Sequence, residues 1–127
     1  MTQGKTPKPT ERELEILAVL WQRGTGTVRD VNEILNQRQP TGYTTTLKLM
    51  QIMAEKGLVL RDEAQRTHVY RARHKPEEIQ RRLVGELLEK ALGGSAEKLV
   101  MHALSAKKIS TQELEQIKKL LESFEGA

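Results

Sequence analysis

Five consecutive residues, Gly42-Tyr43-Thr44-Thr45-Thr46, concentrate the side chains best suited to chemistry. They open a helical stretch whose apolar side is Thr46, Leu47, Met50, Met53 and Ala54, leaving Thr44, Thr45, Lys48, Ile52 and Glu55 on the opposite face. A threonine hydroxyl hydrogen-bonds a phosphate or a base edge, and its methyl packs on the methyl of thymine. The helix start adds unpaired amides and the positive end of a dipole, which attract a phosphate. Lys48 follows one turn later as a cation for phosphate or guanine. Tyr43 is placed to offer its hydroxyl to a nucleic-acid backbone while its ring packs inward. Further on, Arg66 and Thr67 lie between two extended segments, where an arginine reaches phosphates or the minor groove. Arg12 and Arg29 open two earlier helices, and Lys5 and Lys8 lie in an N-terminal arm able to track a polyanion.

Other chemistries find no footing. There is no cysteine, which excludes disulfides, thiolate metal sites and thiol catalysis. His68, His74 and His102 are dispersed without metal-ligand spacing, and no Gly-rich phosphate loop, His-Glu-x-x-His or Gly-x-Ser-x-Gly occurs. Glu77-Glu78 sits in a first helical turn, where carboxylates complement the helix dipole. The expectation is therefore a protein that is not an enzyme, with no cofactor and no metal.

The elements that must position these residues read off the caps and the hydrophobic period. Thr10 and Glu13 form a capping box ahead of Leu14, Leu17, Leu20 and Trp21, and Gly24 supplies a left-handed stop, giving a helix over 11–23. Thr27 with Asp30 starts a second helix bearing Val28, Val31, Ile34 and Leu35, which ends by Pro40. The third runs from Tyr43 to Lys56 and stops at Gly57. The period then changes: 58–62 and 68–73 read as a β-hairpin around the polar stretch 63–67. Three helices and a hairpin in this order make a winged helix-turn-helix, whose third helix enters the major groove. From Pro76 the chain is helical again. Ile79, Leu83, Leu87 and Ala91 form one stripe, Ser95 caps a short helix with Leu99, Val100, Ala103 and Leu104, and Ser110 with Glu113 forms a further capping box. Leu114, Ile117, Leu121 and Phe124 then follow at 3-4-3 spacing, the seam of a pairing helix or of an intrachain contact. The fold class is thus mainly α with a small β-hairpin: a flexible basic arm over 1–9, a winged-helix domain over 10–74 and a helical dimerisation domain over 75–127.

Charge follows the same division. Residues 1–75 carry 13 Lys and Arg against 8 Asp and Glu, a balance of +5, and residues 76–127 carry 8 against 9, a balance of −1, which together give the net +4. A basic first part and a near-neutral second suggest polyanion contact followed by assembly. The longest apolar run, Ile16 to Trp21, is six residues, far short of the roughly 20 that span a bilayer. A cytoplasmic protein without membrane insertion is expected.

Taken in order, Glu13-Leu14-Glu15-Ile16-Leu17, Leu20-Trp21, Thr27-Val28-Arg29-Asp30-Val31, Gly42-Tyr43-Thr44-Thr45, Lys56-Gly57-Leu58-Val59 and Val69-Tyr70-Arg71 resemble the penicillinase-repressor family of winged-helix regulators, from about Thr10 to Glu122. The resemblance implies a sequence-specific transcriptional repressor, a homodimer whose two winged helices read the halves of a palindromic double-stranded DNA operator. It implies Arg12, Arg29, Tyr43, Thr44, Thr45, Lys48, Arg66 and Thr67 as DNA contacts. Leu83, Leu87, Leu99, Leu104, Leu114, Ile117, Leu121 and Phe124 would hold the dimer. In the β-lactam branch of that family a membrane sensor-protease pathway cuts an Asn-Phe bond in the dimerisation region. The matching pair here is His102-Ala103, within Leu99-Val100-Met101-His102-Ala103-Leu104. The cysteine motifs of the copper-responsive branch are absent. The alternative reading is a winged-helix module for protein assembly without DNA binding.

Overall fold

Thr10 caps the first helix, α1 (Glu11–Arg23): its hydroxyl accepts from the Glu13 amide at 3.2 Å, and the Glu13 carboxylate accepts from the Thr10 amide at 2.9 Å. Thr27 and Asp30 repeat this reciprocal box for α2 (Val28–Arg38), at 3.1 and 3.0 Å. The computed structural model describes residues 6–126. It continues with α3 (Tyr43–Lys56), the strands β1 (Val59–Asp62) and β2 (Val69–Ala72), then α4 (Pro76–Ala91), α5 (Ala96–Ser105) and α6 (Thr111–Glu125). The mainly helical class with one small hairpin is what the chain adopts. Ser95 caps α5 through the Lys98 amide. At Ser110 only half of the expected box is found: its hydroxyl accepts from the Glu113 amide at 3.0 Å, while the Glu113 carboxylate lies 3.9 Å from Lys107. In water a surface carboxylate has competing partners, so the second half of a box is easily lost.

Glycine ends two of these helices by different routes. Gly57 is left-handed at φ 81°, ψ 20°, which lets the Leu58 amide reach back to the Met53 carbonyl at 2.9 Å. Gly24 also has positive φ, 92°, but its ψ of −55° lies outside the left-handed helical region. The strands are shorter than the expected 58–62 and 68–73, because the Leu58 amide is spent closing α3. The Leu58 carbonyl still accepts from Arg73, and the ladder pairs Val59 with Ala72 through Asp62 with Val69. Gly26 adds a one-residue bridge on the far side of Tyr70, exchanging both backbone bonds at 3.0 and 2.8 Å.

The described residues fall into two compact units that divide after Gly85, within α4. In the first, Ile16, Leu17 and Leu20 of α1, Val31 and Leu35 of α2, Met50 and Met53 of α3, and Leu58, Val59 and Tyr70 of the hairpin region form one buried core. Ile79 of α4 enters that core at 1% exposure and Leu83 packs against it. Glu13 is buried but answered: Lys56 donates to it at 2.6 Å, tying α1 to the end of α3. The Trp21 indole donates to the His74 carbonyl at 2.9 Å, fixing the segment that leads into α4. Lys5 and the rest of residues 1–5 lie outside the described residues. In the remainder of the expected arm, Pro9 is buried and the Thr6 carbonyl accepts from Arg82 at 3.1 Å. In the second unit, Gly93 and Gly94 both take positive φ, and the Gly94 amide closes α4 on the Leu88 carbonyl. Neither α5 nor α6 buries a residue.

Candidate nucleic-acid interface

The start of α3 differs from every other helix start in the described chain. α1, α2, α4, α5 and α6 each carry an acidic residue in the first turn, and four of them have a side-chain cap. α3 has neither: Gly42 at its N-cap offers no side chain, and Tyr43, Thr44 and Thr45 follow without a carboxylate. Its first amides and the positive end of its dipole are left open to an anion from outside.

Around that opening the fold gathers side chains from three elements. Arg29 from the first turn of α2, Tyr43 from the first turn of α3, and Arg66 and Thr67 from the hairpin loop line one cleft of about 340 Å³, with Gln51 and His68 on its walls. Thr67, Arg29 and Tyr43 also border an adjoining hollow with Asn32 and Glu33. Four of the residues expected to meet DNA are thereby brought together. Thr44, Thr45 and Lys48 are exposed on α3 without lining this cleft. The Tyr43 ring does not pack inward as expected. It is 51% exposed, because Thr46, Met50 and Met53 already fill the buried side of α3.

Arg12 has a different environment. Its guanidinium donates to Glu15 at 3.0 Å and to the Thr41 hydroxyl at 2.9 Å, so it braces the turn between α2 and α3. That turn is held by a network the sequence reading missed. The Asn32 amide donates to the Thr41 carbonyl and to the Thr46 hydroxyl, both at 2.9 Å. Asn36 accepts from the Thr41 amide at 2.7 Å and donates back to Asn32 at 3.1 Å. Thr46 is fully buried, so its bond to Asn32 satisfies a hydroxyl that burial would otherwise penalise. The signal available in the sequence was two asparagines four residues apart, on one face of α2.

Two further groups are held away from their ordinary titration by their partners. Arg61, on β1, is held protonated above its ordinary value first by the Tyr70 hydroxyl and then by Glu63, 2.8 Å away. Its bond to Glu63 ties the end of β1 to the start of the hairpin loop. Asp30 is held below the usual carboxylate range by the Thr27 amide, then by the Thr27 hydroxyl, with a smaller contribution from Arg23 at 3.2 Å. Among the described residues no cluster of His, Cys, Asp or Glu could hold a metal ion, and no helix is long and apolar enough to cross a membrane.

Half of the residues expected to pair two chains are exposed. Leu87 is 46% exposed, Leu114 38%, Leu121 51% and Phe124 73%. Leu99, Leu104 and Ile117 are half-buried, and Leu83 faces the core of the first unit. His102 and Ala103 are exposed on α5.

The chain is 30% identical over 116 residues to the transcriptional regulator BlaI of Mycobacterium tuberculosis, in both the CDC 1551 / Oshkosh and the H37Rv strains, covering 90% of this chain and 83% of that protein. A solved structure of Lactococcus lactis ZitR, a cysteine-to-serine mutant, aligns with 98% of this chain and 80% of its own, at 15% identity and a TM-score of 0.41, too low to carry weight. The family model for the penicillinase repressor matches residues 9–123. This chain belongs to the penicillinase repressor family.

Proposed function

We propose that this chain is a sequence-specific DNA-binding transcriptional repressor that acts as a homodimer on a palindromic operator in the cytoplasm. The observation that carries the reading is the uncapped, acid-free start of α3, flanked by Arg29 from α2 and Arg66 from the hairpin loop. In this reading the α3 amides, Arg29, Tyr43, Arg66 and Thr67 hold phosphates, while Thr44, Thr45 and Lys48 meet base edges. Arg12 acts from behind, by bracing the turn that sets the angle of α3.

The exposed Leu114, Leu121 and Phe124 of α6 support pairing of two chains. A 15-residue helix is marginal alone, so its stability must come from a packing partner. The reading extends to a membrane sensor-protease pathway acting at His102-Ala103. That bond lies within α5, and proteases bind substrates in extended form, so cutting requires α5 to unwind.

Fluorescence anisotropy across a salt series, with the upstream intergenic DNA of the chain's own gene against scrambled duplex, tests the reading. Preferential binding to the native fragment is expected, with a log–log salt slope near −0.9 for each phosphate contact. No binding to either duplex at low salt overturns it. Lys48→Ala is expected to weaken operator binding by about 1–3 kcal/mol if Lys48 meets a guanine, and equally on all DNA if it meets a phosphate.

A further inference from the structure

We infer that Gln51 is a specificity-determining residue that reads an adenine in the major groove, an assignment that rests on the DNA-binding reading above. Gln51 lies on α3 in the helical succession Thr44, Lys48, Gln51, spaced by four and then three residues, which keeps all three on neighbouring parts of one face. Its side chain is exposed and, among the described residues, makes no hydrogen bond to the rest of the chain. It lines the same cleft as Arg29, Tyr43, Arg66 and Thr67, and also a shallower hollow toward Glu55 and Arg61. The amide therefore sits where α3 and the hairpin loop face a common ligand, with its donor and its acceptor both unspent.

The chemistry of that amide selects the partner. Adenine presents an acceptor at N7 beside a donor at N6, and a glutamine amide answers both at once. Guanine presents two acceptors there, which leaves the glutamine carbonyl unanswered. A phosphate would be served better by the cations already flanking the site, Arg29 and Arg66. Glu55, one turn beyond, is a carboxylate that repels phosphates, so the reading surface of α3 ends near Gln51. With a rise of about 1.5 Å per residue, Gln51 lies roughly 10 Å along the helix from Thr44. At about 3.4 Å per base step, it addresses a base pair some two or three steps from the one that Thr44 meets.

The test selects binding sites from randomised duplexes with the full chain and with Gln51→Ala and Gln51→Glu. Unchanged thermal unfolding is the control, which a surface substitution should pass. The full chain is expected to select a motif with adenine at a fixed place in each half-site. Gln51→Ala should lose the preference at that place alone, with affinity for the selected site down by about 5- to 150-fold per half-site and binding to scrambled duplex unchanged. Gln51→Glu should select cytosine there, since a carboxylate accepts from its N4 amino group. A purely structural role would not produce that exchange. An unaltered motif in Gln51→Ala, or an equal loss on every duplex, overturns the assignment and leaves the DNA-binding reading standing. Failure of the full chain to select any motif overturns both.

Discussion

The first unit and the second spend their apolar side chains in opposite ways. Up to Gly85, the leucines, isoleucines and methionines of α1 to α3 converge with Tyr70 and Ile79 on one core, in which Ile16, Met50, Met53 and Leu58 reach 0% exposure. Beyond it, α5 and α6 bury nothing, and Leu120, Leu121 and Phe124 stand 57, 51 and 73% exposed. Amphipathic helices in the two units thus meet different fates. Three packed helices and a hairpin remove their own apolar surface from water, at about 25 cal/mol per Å². A short helix such as α6 presents its stripe outward and needs another surface to cover it. The first unit covers most of its own apolar side chains, and the second leaves those of α6 largely exposed.

The largest effect expected from this contrast follows Leu121→Asp. A charge in the α6 seam should give monomers by sedimentation and weaken operator binding by about 10²- to 10⁴-fold, because linkage of two half-site readers is lost. A variant that stays dimeric would move the seam elsewhere. Next comes Met50→Ala, expected to cost about 2–5 kcal/mol in denaturant unfolding through the cavity it leaves. Phe124→Ala, by contrast, should shift dimer dissociation and leave the unfolding transition of the first unit in place. Equal effects of the two would erase the distinction between the units.

Asn32→Ala probes how the first unit aims α3. It leaves the buried Thr46 hydroxyl and the Thr41 carbonyl short of a donor, for a loss of about 1–3 kcal/mol in stability. Operator affinity should fall further than stability alone explains, because α3 is released from its angle. The smallest effect belongs to Asp30. Its folded pKa is depressed, so its contribution is complete above the ordinary value of 3.8 and disappears as pH falls through the lower folded value. Acid unfolding of Asp30→Asn should therefore show a flatter dependence below pH 3.8 than that of the parent chain.

Local chemistry made most of the elements legible. Thr10, Thr27, Ser95 and Ser110 marked four helix starts because a cap is satisfied within three residues, and Gly57 marked a stop for the same reason. The open start of α3 was equally visible, since it is the absence of a neighbouring carboxylate. The sequence by itself therefore determined the order of helices and hairpin, the charge division and the apolar stripe of α6. Only the tertiary structure decided what depends on residues far apart in the chain. It turned Arg12 toward Thr41, set Asn32 against Thr46, joined Gly26 to Tyr70, brought Ile79 into the first core, and left the Tyr43 ring in the cleft with Arg29, Arg66 and Gln51. Caps and periodicity are settled within one or two helical turns, whereas these contacts exist only once the helices have packed, when each polar group takes whichever partner the packing brings within reach.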